Sequence, residues 1–170
     1  MSVTKYSIEK ESLRDLLGEA RDGQSQLPDF QRGWIWDDDR VRSLLASISL
    51  GFPIGAVMML ETGGQSVRFK QRPLEGAPPS PKRDADRLVL DGQQRLTSLF
   101  QSLFLDQPVE TRDQRGKSIE RWYYVDMRSA LDPSADREEA MVSLPPDRRI
   151  KRFRRDTVED YSTGRRHTRR

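Results

Sequence analysis

The chain has 170 residues, one ordinary domain's length, and equal shares of apolar and charged residues at 34% each, so part of it is expected to stay outside any core. With no cysteine and no long apolar run, the sequence excludes disulfides, thiolate metal sites, a thiol nucleophile, a membrane span and a secretory signal, and the expectation is a soluble cytoplasmic protein. The net charge of +3 hides an asymmetry: residues 148–170 hold ten basic against three acidic residues, which leaves 20 basic against 24 acidic in residues 1–147.

From the N-terminus, Val3 to Ile8 reads as a short strand, and Ser12 as the cap of a helix whose Leu13, Leu16, Leu17 and Ala20 recur at helical spacing. Leu27 to Trp36 has neither helical nor alternating periodicity but contains three aromatics, which predicts an ordered loop. Asp37 can cap a second helix carrying the stripe Val41, Leu44, Leu45 and Ile48, stopped by Gly51 and Pro53. Ile54 to Glu61 reads as a strand, with Val67 to Lys70 pairing back as a hairpin, followed by a proline-rich loop over 71–86. Arg87 to Leu90 is a buried strand that runs into a helix with Leu96, Leu99, Phe100, Leu103 and Phe104 on one face. A charged loop covers 106–118, Ile119 to Asp126 is an aromatic strand, and Met141 to Leu144 a last strand before Pro145. Strands and helices mix without strict alternation, so the fold class is α+β. The expected organisation is a domain over 1–147 and a basic flexible tail or truncated linker over 148–170, too apolar-poor to order itself.

Two blocks carry chemistry. Asp91-Gly92-Gln93-Gln94-Arg95 joins a strand to a helix N-terminus, where backbone N–H groups and the helix dipole favour an anion. There Gly92 lets a phosphate approach, Gln93 and Gln94 can orient phosphate oxygens or water, Arg95 can fork onto phosphate, and Asp91 can hold Mg²⁺ through water or accept a proton. Read alone, the block is equally an N-cap, a turn glycine and a solvated arginine. The second block sets Gln31 and Arg32 between Phe30, Trp34 and Trp36. Phe30 and Trp34 can stack a base or pack the loop, while core packing suits Trp36 better. Gly116-Lys117-Ser118 is no P-loop, because Thr111 stands where the first glycine is needed and a strand follows. The lone histidine, His167, has no acid or hydroxyl at motif spacing, which excludes a Ser/His/Asp triad or a histidine nuclease centre within this chain. Of the 30 basic residues 24 are Arg, a bias that suits phosphate contact and equally follows from a GC-rich genome.

In this order, Leu27-Pro28-Asp29-Phe30-Gln31-Arg32 with Trp36, Gly51-Phe52-Pro53-Ile54-Gly55, and Leu90 through Leu99 around the DGQQR block resemble the GmrSD-type N-terminal domain family, with a ParB/sulfiredoxin-like fold. The resemblance covers about residues 5–126. It implies a bacterial restriction or anti-phage system acting on modified or foreign DNA, with a nuclease domain or subunit beyond this chain. It places a Mg²⁺-dependent nucleoside triphosphate site at Asp91, Gly92, Gln93, Gln94 and Arg95, completed by Gln31 and Arg32. It also sets Phe30, Gln31 and Arg32 toward DNA. The expected function is nucleotide-dependent sensing with hydrolysis of GTP or ATP, without nuclease activity in this chain alone. The alternatives are a DNA-recognition module for a modified base or phosphorothioate backbone without turnover, and a structural domain without ligand.

Overall fold

The computed structural model describes residues 7–34, 36–63, 69–79, 84–151, 157–162 and 167–168, and it is α+β. Helix α1, Leu13–Asp22, starts at Ser12, whose hydroxyl oxygen accepts the Asp15 amide at 3.1 Å, and buries Leu17 and Ala20. Helix α2, Asp38–Ser49, is capped by Asp37, which accepts the Arg40 amide at 2.9 Å, and buries Val41, Leu44, Leu45 and Ala46. Helix α3, Gln93–Phe104, is sunk deeper than either, with everything from Leu96 to Gln101 buried. The strand predicted at Val3–Ile8 lies mostly outside the described residues, and Ser7 and Ile8 are in neither helix nor strand.

Strands β1, Ser25–Pro28, β2, Met58–Glu61, β3, Gln71–Arg72, and β4, Arg87–Asp91, form one sheet in the order β2-β4-β1-β3. β4 runs parallel to β1 and antiparallel to β2, and β3 is antiparallel to β1. β1 was hidden in the sequence because Ser-Gln-Leu-Pro does not alternate. All four residues are nonetheless buried, with the Ser25 hydroxyl donating to Glu19 at 2.7 Å and the Gln26 amide to the Gly23 carbonyl at 3.1 Å. Two sequence expectations are corrected here. The strand expected from Ile54 starts only at Met58, because the carbonyls of Ile54 and Ala56 accept hydrogen bonds from Arg95. The chain after the turn supplies β3 to β1 rather than pairing back on β2, although residues 64–68 of the expected hairpin fall outside the described residues.

The charged stretch 106–118, expected to be a loop, contains strand β5, Val109–Arg112, which forms a hairpin with β6, Ser118–Val125; β7, Met141–Leu144, completes this second sheet. Short helix α4, Met127–Leu131, lies between β6 and β7. The second sheet is tied to α2 and the residues before it: the Thr111 hydroxyl donates to the Trp36 carbonyl at 2.7 Å, and the Tyr123 and Ser143 hydroxyls both donate to Asp38, at 2.8 and 2.7 Å. Burial, and then the Asp38 charge, push the Tyr123 hydroxyl far above the ordinary phenol range, so it stays a donor throughout the physiological pH range. Residues 148–170, expected to be a flexible tail, hold three short antiparallel strands among their described residues, β8, Arg149–Lys151, β9, Thr157–Asp160, and β10, His167–Thr168. Backbone ladders hold this sheet, helped by the Arg149–Asp160 ion pair at 3.1 Å and by the Arg148 guanidinium 4.3 Å from the centre of the Trp122 ring.

The core cluster joins Leu17, Leu27, Val41, Leu44, Val89, Leu96, Leu99 and Phe100. Leu103, placed on the apolar face by its spacing, is exposed; the last turn of α3 instead stacks Phe104 on Phe100 under the Arg21 guanidinium. Phe100 has no exposed surface, so Phe100→Ala should cost about 3–5 kcal/mol of unfolding free energy in urea titration, while Leu103→Ala should stay within about 0.5 kcal/mol.

Candidate functional site

The parallel pairing of β1 with β4 carries the loop after β1 and the turn after β4 out of the sheet side by side. Between them lies a cleft of about 440 Å³ lined by Phe30, Gln31, Arg32 and Trp36 from the loop and by Leu90 through Arg95 from the turn. Both sequence blocks therefore meet in one place. Gly92, at φ 89°, turns the chain from β4 into α3, no side chain caps that helix, and its first turn lines the cleft.

Three glutamines join the two walls. Gln31 Nε2 donates to the carbonyls of Val89 and Leu90, both at 2.9 Å. In the opposite direction Gln93 Nε2 donates to the Arg32 carbonyl at 2.9 Å, and Gln94 Nε2 to the Gly33 carbonyl at 3.2 Å. The loop is also anchored from behind. The Trp34 indole N–H donates to the Ser98 hydroxyl at 2.9 Å, and Glu75 receives the Trp34 amide at 3.1 Å, Arg72 at 2.9 Å and the Thr97 hydroxyl at 3.3 Å. Trp34 is thus a packing residue. Glu75 was not singled out from sequence, because nothing near it in the chain marks it as a hub. One polar atom is left over: Gln31 Oε1 is buried without a partner among the described residues. Both hydrogens of that amide are spent on carbonyls, so only an N–H or O–H donor from a water or a ligand can satisfy the oxygen.

Arg95 and Arg32 divide the roles expected of one arginine. Arg95 Nη1 donates to the Ile54 carbonyl at 2.6 Å and Nη2 to the Ala56 carbonyl at 2.8 Å, with Asp91 Oδ2 3.5 Å away. Its fork is filled by the protein. It lies so close over Gly55, at φ 92°, that a Cβ there would come within 2.0 Å of Nη1, and a Cβ on Gly92 would come within 3.3 Å of Nη2. The second glycine of Gly51-Phe52-Pro53-Ile54-Gly55 is therefore bare to admit Arg95, a constraint that spacing alone could not show. The guanidinium of Arg32, a residue that is exposed and lines the cleft, has no hydrogen-bond or ion-pair partner among the described residues. The Asp91 side chain is 76% exposed at the cleft. Among the described residues no group of three carboxylate, histidine or cysteine side chains is placed to hold a metal ion, so Mg²⁺ at Asp91 would need its remaining ligands from phosphate and water.

Arg95→Ala should destabilise the fold by about 1–3 kcal/mol even without ligand, since two carbonyls lose charged donors, and Arg95→Lys should restore only part of this because one ammonium cannot match the fork. Chemical denaturation of both variants tests this; wild-type stability in Arg95→Ala would make the clamp energetically idle.

The family described as GmrSD restriction endonuclease, N-terminal domain, matches residues 13–165, from the first turn of α1 to beyond β9. The uncharacterized protein MJ0686 of Methanocaldococcus jannaschii is 35% identical over 104 residues, which cover 59% of this chain and 18% of that protein. The chain thus accounts for less than a fifth of that relative's length. No solved structure matches it. No helix among the described residues is long and apolar enough to cross a membrane. Because the family match runs through every element that builds the cleft, the chain belongs to the GmrSD restriction endonuclease N-terminal domain family.

Proposed function

We propose that the cleft binds a nucleoside triphosphate and that this domain is the nucleotide-hydrolysing sensor of a bacterial restriction or anti-phage system, with DNA cleavage supplied by a nuclease module outside this chain. The observation that carries the proposal is that the start of α3, with no side-chain cap, borders one cleft with Arg32, whose guanidinium has no partner among the described residues. The helix dipole at the start of α3 and the Arg32 guanidinium border the one cleft where phosphate oxygens would lie. Mg²⁺ arriving with the triphosphate would be held from Asp91 through water and would neutralise phosphate charge. Gly92 keeps the backbone approachable, Gln93 and Gln94 hold the Arg32 and Gly33 carbonyls and so the angle of the loop, and Arg95 acts from behind by fixing residues 54–56. Arg32, rather than Arg95, would then meet the charge that develops on the transferred phosphoryl group.

Titration of ATP, GTP and CTP with Mg²⁺ into the purified chain, followed by calorimetry and phosphate release, tests the proposal. One nucleotide should bind and be hydrolysed. Arg32→Ala should lower the hydrolysis rate by about a hundredfold or more and Arg32→Lys by less, with stability unchanged in both. No binding of any of the three at millimolar concentration would overturn the proposal. The second reading, a DNA-recognition module in which the same anion site grips a backbone phosphate without turnover, is favoured by Phe30, which leaves 64% of its surface in water beside the cleft.

A further inference from the structure

Phe30 does not stand alone at the rim of the cleft. Its ring meets Phe69 edge to face, with centroids 5.4 Å apart and planes at 63°. Phe69 comes from the segment leading into β3, held beside Phe30 because the Asp29 amide donates to the Lys70 carbonyl at 2.8 Å. Cations flank the pair. Lys70 follows Phe69 and is 85% exposed, in a long ion pair with Asp29 at 3.9 Å, and the Arg32 guanidinium, two residues beyond Phe30, has no partner among the described residues.

We propose that Phe30 and Phe69 form a stacking platform for an unpaired base of single-stranded or locally opened DNA, with Lys70 and Arg32 on the flanking phosphates. An aromatic ring open to solvent next to exposed cations is the chemistry that holds bases and backbone together. The orphan acceptor on Gln31, between Phe30 and Arg32, adds a place for an N–H donor from a base edge. The platform extends the DNA-binding side of the proposed function and does not need nucleotide turnover. Phe69 and Lys70 are not among the residues that line the cleft.

The test uses the full chain, a fluorescein-labelled DNA strand of about 12 nucleotides and its matched duplex, with anisotropy titrations at several salt concentrations. The single strand should bind more tightly than the duplex. Phe69→Leu, which keeps an apolar side chain but removes the ring, should weaken single-strand binding by about 5-fold to 150-fold and leave binding of Mg²⁺ nucleotide unchanged. Lys70→Gln should lower the slope of log affinity against log salt by about 0.7. Wild-type single-strand affinity in a folded Phe69→Leu variant overturns the platform, as does equal binding of strand and duplex. Tighter binding of RNA of the same sequence overturns the commitment to DNA, and a change in self-association with no change in DNA affinity would make the surface a protein interface. A chain that binds no nucleotide but meets the DNA expectations would sink the triphosphate site and leave the platform standing.

Discussion

The structure depends on burying a helix that is only half apolar. α3 puts Leu96, Leu99 and Phe100 into the core, but the same turns also sink Gln93, Thr97, Ser98 and Gln101. Buried polar groups must find partners or cost about 1–3 kcal/mol each. They find them in the chain that wraps the helix: Gln93 and Gln94 on the carbonyls of residues 32 and 33, Ser98 on the Trp34 indole, and Thr97 and Gln101 on the Glu75 side chain and carbonyl. Two stretches without regular structure are thereby held as firmly as strands. The cleft is the gap left where this wrapping meets the end of β4.

The same logic separates charges that hold the protein together from those left for a partner. Arg87 is locked between Glu11 and Glu19, Arg72 serves Glu75, and Arg95 is spent on two carbonyls. The acidic start of α2 is likewise consumed. Asp37 caps the helix, Asp38 takes two hydroxyls from the second sheet, and Asp39 accepts from Gln114 at 3.0 Å. Against this background an exposed Arg32, a helix N-terminus with no side-chain cap and an uncovered Phe30 stand out, and all three border one cleft. Arg95 serves the cleft by holding the carbonyls of Ile54 and Ala56, whereas the Arg32 side chain is held by none of the described residues.

Much of this was legible in the amino-acid sequence because it is local. The caps at Ser12 and Asp37, the apolar stripes of α1 and α2, and the strand-to-helix turn at Asp91–Gln93 each follow from side chains within one or two turns of one another. The α+β class and the family followed from the order of those signals and of the three blocks. The ends of strands were less legible. β1 hides its burial behind polar residues that find partners elsewhere in the fold, and β5 reads as a charged loop because its glutamate and arginine face water while Val109 and Thr111 turn inward.

The tertiary structure alone decided which guanidinium is already occupied. Arg32 and Arg95 look equally available in the sequence, each directly after a glutamine. What separates them is that the carbonyls of Ile54 and Ala56 lie within reach of Arg95, about forty residues away along the chain, over a glycine with no side chain to block it. Periodicity and capping act through neighbours and can be read from a string of residues. Whether a donor is already satisfied depends on acceptors brought up from distant parts of the chain, and only the folded backbone places those.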